Sequence, residues 1–340
     1  MVPRITPRGL AALLALGLLA PALVFASPAA AAPAATFDFG SDIAIGTAWS
    51  HTARKPAMDA ALASGMTIFF SDAKDGTGKA GWYTTAYPMS GAYAPGDGAV
   101  ERAAADAHKN GLKSAVRFAT FIDKNAAAKF PHARVAGTDY LDPACKDVRA
   151  HMIGMLKDLV ARTKVDEVNL DYVRYNPTLS STAPLPCTGG TVGQVTDARN
   201  DHIASFVKEA SAAIKAIRPE VKLSASVFPQ SLQKPLTPYG QDAVRMSPGI
   251  DVFMPMIYPM NFAGQDPYKL TYDFVASGVS RLGAEKVRPW IQGESTYAGQ
   301  VAPVCNQIKA VAAAGGAGAF VWWFHTMGFN VDMWKQIGAC

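Results

Sequence analysis

Apolar runs that end in a polar residue recur along this chain, and between them lie stretches with helical periodicity. The short β-rich runs predict strands over 42–49, 66–73, 113–121, 167–175, 222–228, 251–259, 287–293 and 318–324. Amphipathic helices are predicted over 100–111, 145–163 and 200–217, several of them closed by Gly or Pro. Eight strands, each followed by a helix or a helix-sized segment, predict an α/β fold: a single (β/α)8 barrel. A doubly wound open sheet would need fewer strands and a glycine-rich first turn, and no G-x-G-x-x-G follows the first strand.

Residues two apart on a strand share a face. Asn169, Asp171 and Val173 therefore fall on one face of VDEVNLDYVRYN, with Val168, Leu170 and Tyr172 on the other. The same parity groups Ile68, Phe70, Asp72 and Lys74; Arg117, Ala119, Phe121 and Asp123; Ser224 and Ser226; Trp290, Gln292 and Glu294; and Trp323 with His325. In most of these strands the polar residue lies at the C-terminal end, as expected of a barrel whose mouth is there. The bland alternative is that each polar residue simply begins a loop. Two long loops, 74–98 and 176–196, follow strand C-termini and are rich in Gly and Pro. The first carries Trp82, Tyr83, Tyr87 and Tyr93, which offer either stacking faces for a ligand or the core of a packed Ω-loop.

Composition narrows the class. The N-terminus has Arg4 and Arg8 before an apolar run, then an Ala-rich tail with small-x-small sites between Ala30 and Ala35. That layout predicts a cleaved secretory signal peptide over 1–35 and a barrel domain over 36–340. An uncleaved membrane anchor is the rival, opposed by Pro21 within the run. The mature protein is expected to be secreted, monomeric and free of membrane contact. Without Arg4 and Arg8 the formal charge falls from +5 to +3, and Lys and Arg form no runs, so no nucleic-acid partner is expected. Four cysteines in an oxidising compartment suggest two disulfides among three possible pairings. Neighbours in sequence, Cys145 with Cys187 and Cys305 with Cys340, are the favoured partners, and free thiols are the alternative.

The segments MTIFFSDAKDGTG, VRFATFIDK, VDEVNLDYVRYN, GQDAVRMSPGIDVFMPMIYPMNF and VRPWIQGE, in this order, resemble the putative glycosyl hydrolase domain family of TIM-barrel type. That family is itself distantly similar to chitinase-like and endo-galactosaminidase barrels. The resemblance implies a barrel acting on a polysaccharide or oligosaccharide, with Asp171 functional and with Tyr172 and Arg174 kept from an Asp-Tyr-hydrophobic-Arg signature. Against the chitinase pattern D-G-x-D-x-D-x-E, Asp166 matches the first acid and Asp171 the third. Asn169 replaces the second, and Val173 stands where the proton-donating Glu belongs. Chitinase chemistry of that type is therefore not expected.

Glycoside hydrolysis ordinarily takes two carboxyl groups, one protonating the leaving oxygen and one attacking the anomeric carbon or activating water. Glu294, at the end of the seventh strand after a glycine that would loosen the backbone, is the expected partner of Asp171. Asp72 with Lys74, and Asp123, are further candidates at strand ends, whereas Asp166 and Asp251 at strand N-termini read as caps or bridges. Arg117, inward by parity, is expected to pair with Asp171 or Asp72, because a lone buried charge is costly. Tyr258, His51, His325, Trp290, Gln292 and Trp323 complete the expected sugar-binding set, with core packing the alternative for Tyr258. Six histidines without H-x-H or H-E-x-x-H spacing predict neither a metal nor a cofactor. A glycan-binding barrel without catalysis is the second reading. Hydrolysis of an ester or N-acetyl group is the third, weakened because no G-x-S-x-G elbow occurs.

Overall fold

The computed structural model describes residues 37–43, 51–89, 98–135, 137–322 and 327–340. Its strands are β1 (Asp38–Ile43), β2 (Ile68–Lys74), β3 (Lys113–Ala119), β4 (Glu167–Asp171), β5 (Lys222–Val227), β6 (Val252–Ile257), β7 (Trp290–Gln292) and β8 (Gly318–Trp322). Each pairs in parallel with the next, and β8 pairs with β1, so the sheet closes into a barrel. The helices are α1 (His51–Ala63), α2 (Ala99–Lys109), α3 (Lys124–Lys129), α4 (Lys146–Arg162), α5 (Ala198–Lys215), α6 (Ala243–Met246), α7 (Pro267–Leu282), α8 (Val301–Ala313) and α9 (Val331–Gly338). The expected (β/α)8 architecture is the one found.

Two apolar layers hold the barrel. Outward strand residues such as Val116, Val168, Leu170, Leu223 and Val321 pack on buried helix faces, among them Val148, Met152, Leu156 and Leu159 of α4. Within the barrel, Ile68, Phe70, Ala115, Val252, Met254, Trp290 and Phe320 form a second cluster. Gly40 of β1 makes room for it: a Cβ there would lie 2.5 Å from the Phe320 ring and 2.8 Å from the Ile68 carbonyl oxygen. Polar inward residues are joined to one another down the axis. Trp290 Nε1 donates to Ser226 Oγ at 2.9 Å, Ser226 to Asn169 Oδ1 at 2.8 Å, and Asn169 Nδ2 to Ser224 Oγ at 3.1 Å. Ser224 donates to Glu167 at 2.6 Å, and Arg288 ties Glu167 to Asp38, closing the N-terminal end with a buried charge cluster. Asp166 accepts from the Ser114 backbone and Asp251 from the Leu223 backbone, so both acids secure strand starts.

Three local expectations need correction. The first strand starts at Asp38 rather than at 42 and is described as far as Ile43; the remainder of the expected 42–49 strand falls in residues 44–50, outside the described set. On β2 an extra residue between Asp72 and Lys74 breaks the two-residue parity, so Lys74 pairs with Phe118, one position past Arg117. Gly293 serves close packing rather than looseness: its N–H donates to the Trp322 carbonyl, and a Cβ would meet Val321 Cγ1 at 2.5 Å. Disulfides join Cys145 to Cys187 and Cys305 to Cys340. Loop 176–196 is pinned further by Asp142, whose carboxylate accepts from the backbone N–H groups of Cys187 and Thr188 and from the Thr188 hydroxyl. No helix among the described residues is long and apolar enough to cross a membrane.

Candidate active site

At the C-terminal end of the barrel lies a cavity of about 200 Å3, lined by Arg117, Asp171, Tyr172, Arg174, Ser226, Phe228, Met256, Tyr258, Trp290 and Trp322. Strand register explains its charged floor. Arg117 of β3 stands opposite Asp72 of β2 on one side and Asn169 of β4 on the other, two residues short of Asp171. Its guanidinium reaches both acids: Nε donates to Asp171 Oδ2 at 2.7 Å and Nη1 to Asp72 Oδ1 at 2.9 Å. The other Asp171 oxygen accepts the Tyr172 N–H at 2.7 Å. Both carboxylate oxygens of Asp171 are therefore held, and the side chain has a fixed position at the cavity wall. Burial alone would pull the Arg117 guanidinium down, yet Asp171, Asp72 and Asp42 together hold it well above its ordinary value.

Asp42 is an acid that pattern reading passed over. It lies at the C-terminal end of β1, is fully buried, and neither oxygen accepts a hydrogen bond from a described residue. Burial first, then the charge of Asp72, raises it well above the usual carboxylate range, with Arg117 opposing. Asp72 is likewise raised by burial against the pull of Arg117. The signal that would have found Asp42 is the D-x-G-x-D spacing of Asp38, Gly40 and Asp42, three alternate positions of one strand.

Glu294 follows β7 and is half-buried; burial raises its carboxyl above the usual range, and no described residue hydrogen-bonds its side chain. It is not among the residues lining the cavity. Tyr258 connects the two acids electrostatically: burial first, then Asp171 and Glu294, push its phenol well above its ordinary value. Among the described residues only Tyr172 (φ 51°) and Ser295 (φ 54°) are non-glycine residues in the left-handed region. Each directly follows one of the two candidate acids. Such backbone costs on the order of 1–3 kcal/mol and persists where surrounding structure enforces it, commonly at functional sites.

The remaining wall is aromatic. Trp290 and Trp322 meet edge to face with centroids 5.6 Å apart, and the Arg117 guanidinium lies 5.6 Å from the Trp322 ring. The structure thus brings together Arg117, Asp171, Tyr172, Arg174, Tyr258 and Trp290, with Asp72 tied to Arg117. Lys74, Asp123 and Gln292 sit apart. Lys74 and Asp123 form a fully buried ion pair at 3.0 Å while Asp123 caps α3 through the Ala126 N–H. The Gln292 carboxamide accepts from the Met260 N–H and donates to the Glu294 carbonyl oxygen, so it shapes the backbone around Glu294. Position 51 opens α1, but the His51 side chain lies outside the described residues, as do Trp323 and His325. Trp82 is buried and bonded to Asp158 of α4, and none of the described aromatics of loop 74–98 reaches the cavity.

A closed parallel barrel with a cavity at the strand C-termini, lined by Arg117, Asp171 and several aromatic residues, defines a TIM barrel. The chain belongs to the putative glycosyl hydrolase domain family, whose model matches residues 43–327. Its fold is similar to the PgaB (BpsB) glycoside hydrolase domain from Bordetella bronchiseptica, with TM-score 0.69 and 12% identity over 88% of this chain and 97% of that one. It is also similar to an endo-beta-1,4-mannanase from Thermotoga petrophila (TM-score 0.58, 13% identity, 85% of this chain and 68% of that one). A chitinase from Chromobacterium violaceum gives TM-score 0.55 at 13% identity, over 89% of this chain and 99% of that one. No curated protein matches the sequence.

Proposed function

We propose that the protein is an exported glycoside hydrolase that cleaves a polysaccharide at the barrel mouth, using Asp171 and Glu294 as its two carboxyl groups. One observation carries this reading: an inward Asp171, clamped by Arg117 and the Tyr172 N–H, in a cavity also walled by Trp290 and Trp322. A carboxylate held in that way is suited to attack the anomeric carbon or to take a proton from water. Glu294, raised above the usual carboxylate range by desolvation, is the candidate to deliver a proton to the leaving oxygen. Tyr258, facing both charges, supplies a donor for the attacking carboxylate or the ring oxygen. Val173 is packed in the core between sheet and helices, so the position of a chitinase-type acid offers no carboxyl group. The polysaccharide class rests on the family and on similar folds named as a mannanase and a chitinase. Export rests on the signal-like segment 1–35 and accords with the two disulfides.

Purified protein assayed on a panel of cell-wall and exopolysaccharide glycans should release new reducing ends. Asp171→Asn and Glu294→Gln should each lower kcat by roughly 10²–10⁴-fold. Acetate release without reducing ends would replace this reading with deacetylation. A second reading, a glycan-binding barrel, is favoured by the position of Glu294 outside the cavity lining. It requires that Asp171→Asn retain the glycan affinity of a wild type that never turned over.

A further inference from the structure

We infer that Arg174 forms a subsite for an anionic substituent of the sugar chain, a carboxylate or a sulfate, so that the preferred substrate is a charged glycan. This rests on the barrel mouth being a glycan site, and it adds the substrate class.

Arg174 lines the cavity three residues beyond Asp171, placed there by the left-handed turn at Tyr172. Its guanidinium carbon lies 5.1 Å from the Tyr172 ring, 5.0 Å from Phe228 and 5.6 Å from Tyr239. Three aromatic rings thus lie within cation–π distance of the guanidinium. Nη1 donates to the Tyr175 carbonyl oxygen at a long 3.3 Å, the one hydrogen bond of this side chain among the described residues. No carboxylate among the described residues pairs with Arg174. Several other cations of the barrel have acid partners, although the fully buried Arg199 is held by the backbone carbonyl oxygens of Pro238, Thr191, Val192 and Gln194. Arg117 has Asp72 and Asp171, Arg288 has Asp38 and Glu167, and Lys74 has Asp123.

The acids of the mouth surround Arg117, not Arg174. Asp171 and Asp72 are ion-paired to it. Of the two cations lining the cavity, Arg174 is the one without a carboxylate partner among the described residues. A guanidinium fork accepts a carboxylate or sulfate through two parallel hydrogen bonds, which a neutral hydroxyl cannot match. The mature charge of only +3, with no basic runs, fits recognition of a single charged substituent rather than attraction to a uniformly acidic polymer.

The test has two arms. In the first, kcat/KM is measured on neutral, uronate-bearing and sulfated glycans for the wild type, Arg174→Gln and Arg174→Lys. The charged-over-neutral ratio should fall roughly 10–100-fold in Arg174→Gln, the range for a lost hydrogen bond to a charged group. It should be partly restored in Arg174→Lys. An unmoved ratio, or a wild type that prefers neutral glycans, overturns the inference. In the second arm, D-glucuronate, D-glucose 6-sulfate and D-glucose are titrated calorimetrically into the same proteins, whose folding is checked by circular dichroism. Arg174-dependent binding of either anion without cleavage of any glycan would sink the hydrolase reading and keep the subsite. Cleavage with no dependence on Arg174 in either arm would do the reverse. The stronger of the two anions separates a uronate site from a sulfate site.

Discussion

Burial without a hydrogen bond separates Asp42 from the other acids at the barrel mouth. A carboxyl raised in the folded state binds more protons there than in the unfolded chain. Stability therefore falls as pH rises from the ordinary carboxylate range toward the raised value. Asp42→Asn removes that slope. We expect the variant to be about 0.5–2 kcal/mol more stable than wild type at neutral and alkaline pH. Hydrolysis should fall, because Arg117 loses one of the three charges that hold it. Urea titrations across the acid-to-alkaline range check this, and a variant with the wild-type pH slope would contradict it. Asp171, Arg117 and Tyr258 were legible from strand parity because their positions follow from alternation alone. Asp42 was not, because the expected strand began at 42 and the real one already starts at Asp38.

At the scale of elements, one inserted residue in β2 separates what parity had joined. Asp72 stays inside beside Arg117, while Lys74 leaves the mouth to pair with Asp123 beside α3. Nothing in the local sequence announces that bulge, since DAKDG reads equally well as a strand running on into a turn. Burial pulls the Lys74 amine down and Asp123 pushes it back, so removing the acid strands a buried cation. Asp123→Ala should cost about 3–5 kcal/mol of stability. In the folded fraction KM should move little, read by denaturant melts alongside steady-state kinetics. A large rise in KM with unchanged stability would instead place Asp123 in the sugar site. Gln292 differs in kind: its inward parity is real, but its amide is spent on the backbone at Met260 and Glu294.

Across the whole molecule, the closed sheet sets a ring of strand ends, and two covalent ties secure parts of the surrounding shell. The Cys145–Cys187 bridge joins the start of α4 to loop 176–196 across a sequence separation of 42. Replacing both cysteines by Ser should lower stability by about 2–4 kcal/mol. Limited proteolysis should then cut first within 176–196, where only hydrogen bonds such as those of Asp142 and Arg199 would remain to hold the loop. Cleavage elsewhere first would mean that the bridge is dispensable for that loop.

Hydrophobic alternation and turn chemistry were enough to specify eight strands, their order of connection, the end bearing the polar residues and the inward Asp171. These are local or periodic properties, carried by residues near one another in the chain. The rest depends on contacts between distant segments. Pairing with β2 and β8 puts β1 at Asp38–Ile43 and turns Asp42 inward; the bulge sends Lys74 away; and close approach to β8 explains Gly293. Which cation at the cavity has an acid partner is likewise a matter of three dimensions. Counter-ions come from strands that meet only when the barrel closes, and for Arg174 none arrives among the described residues.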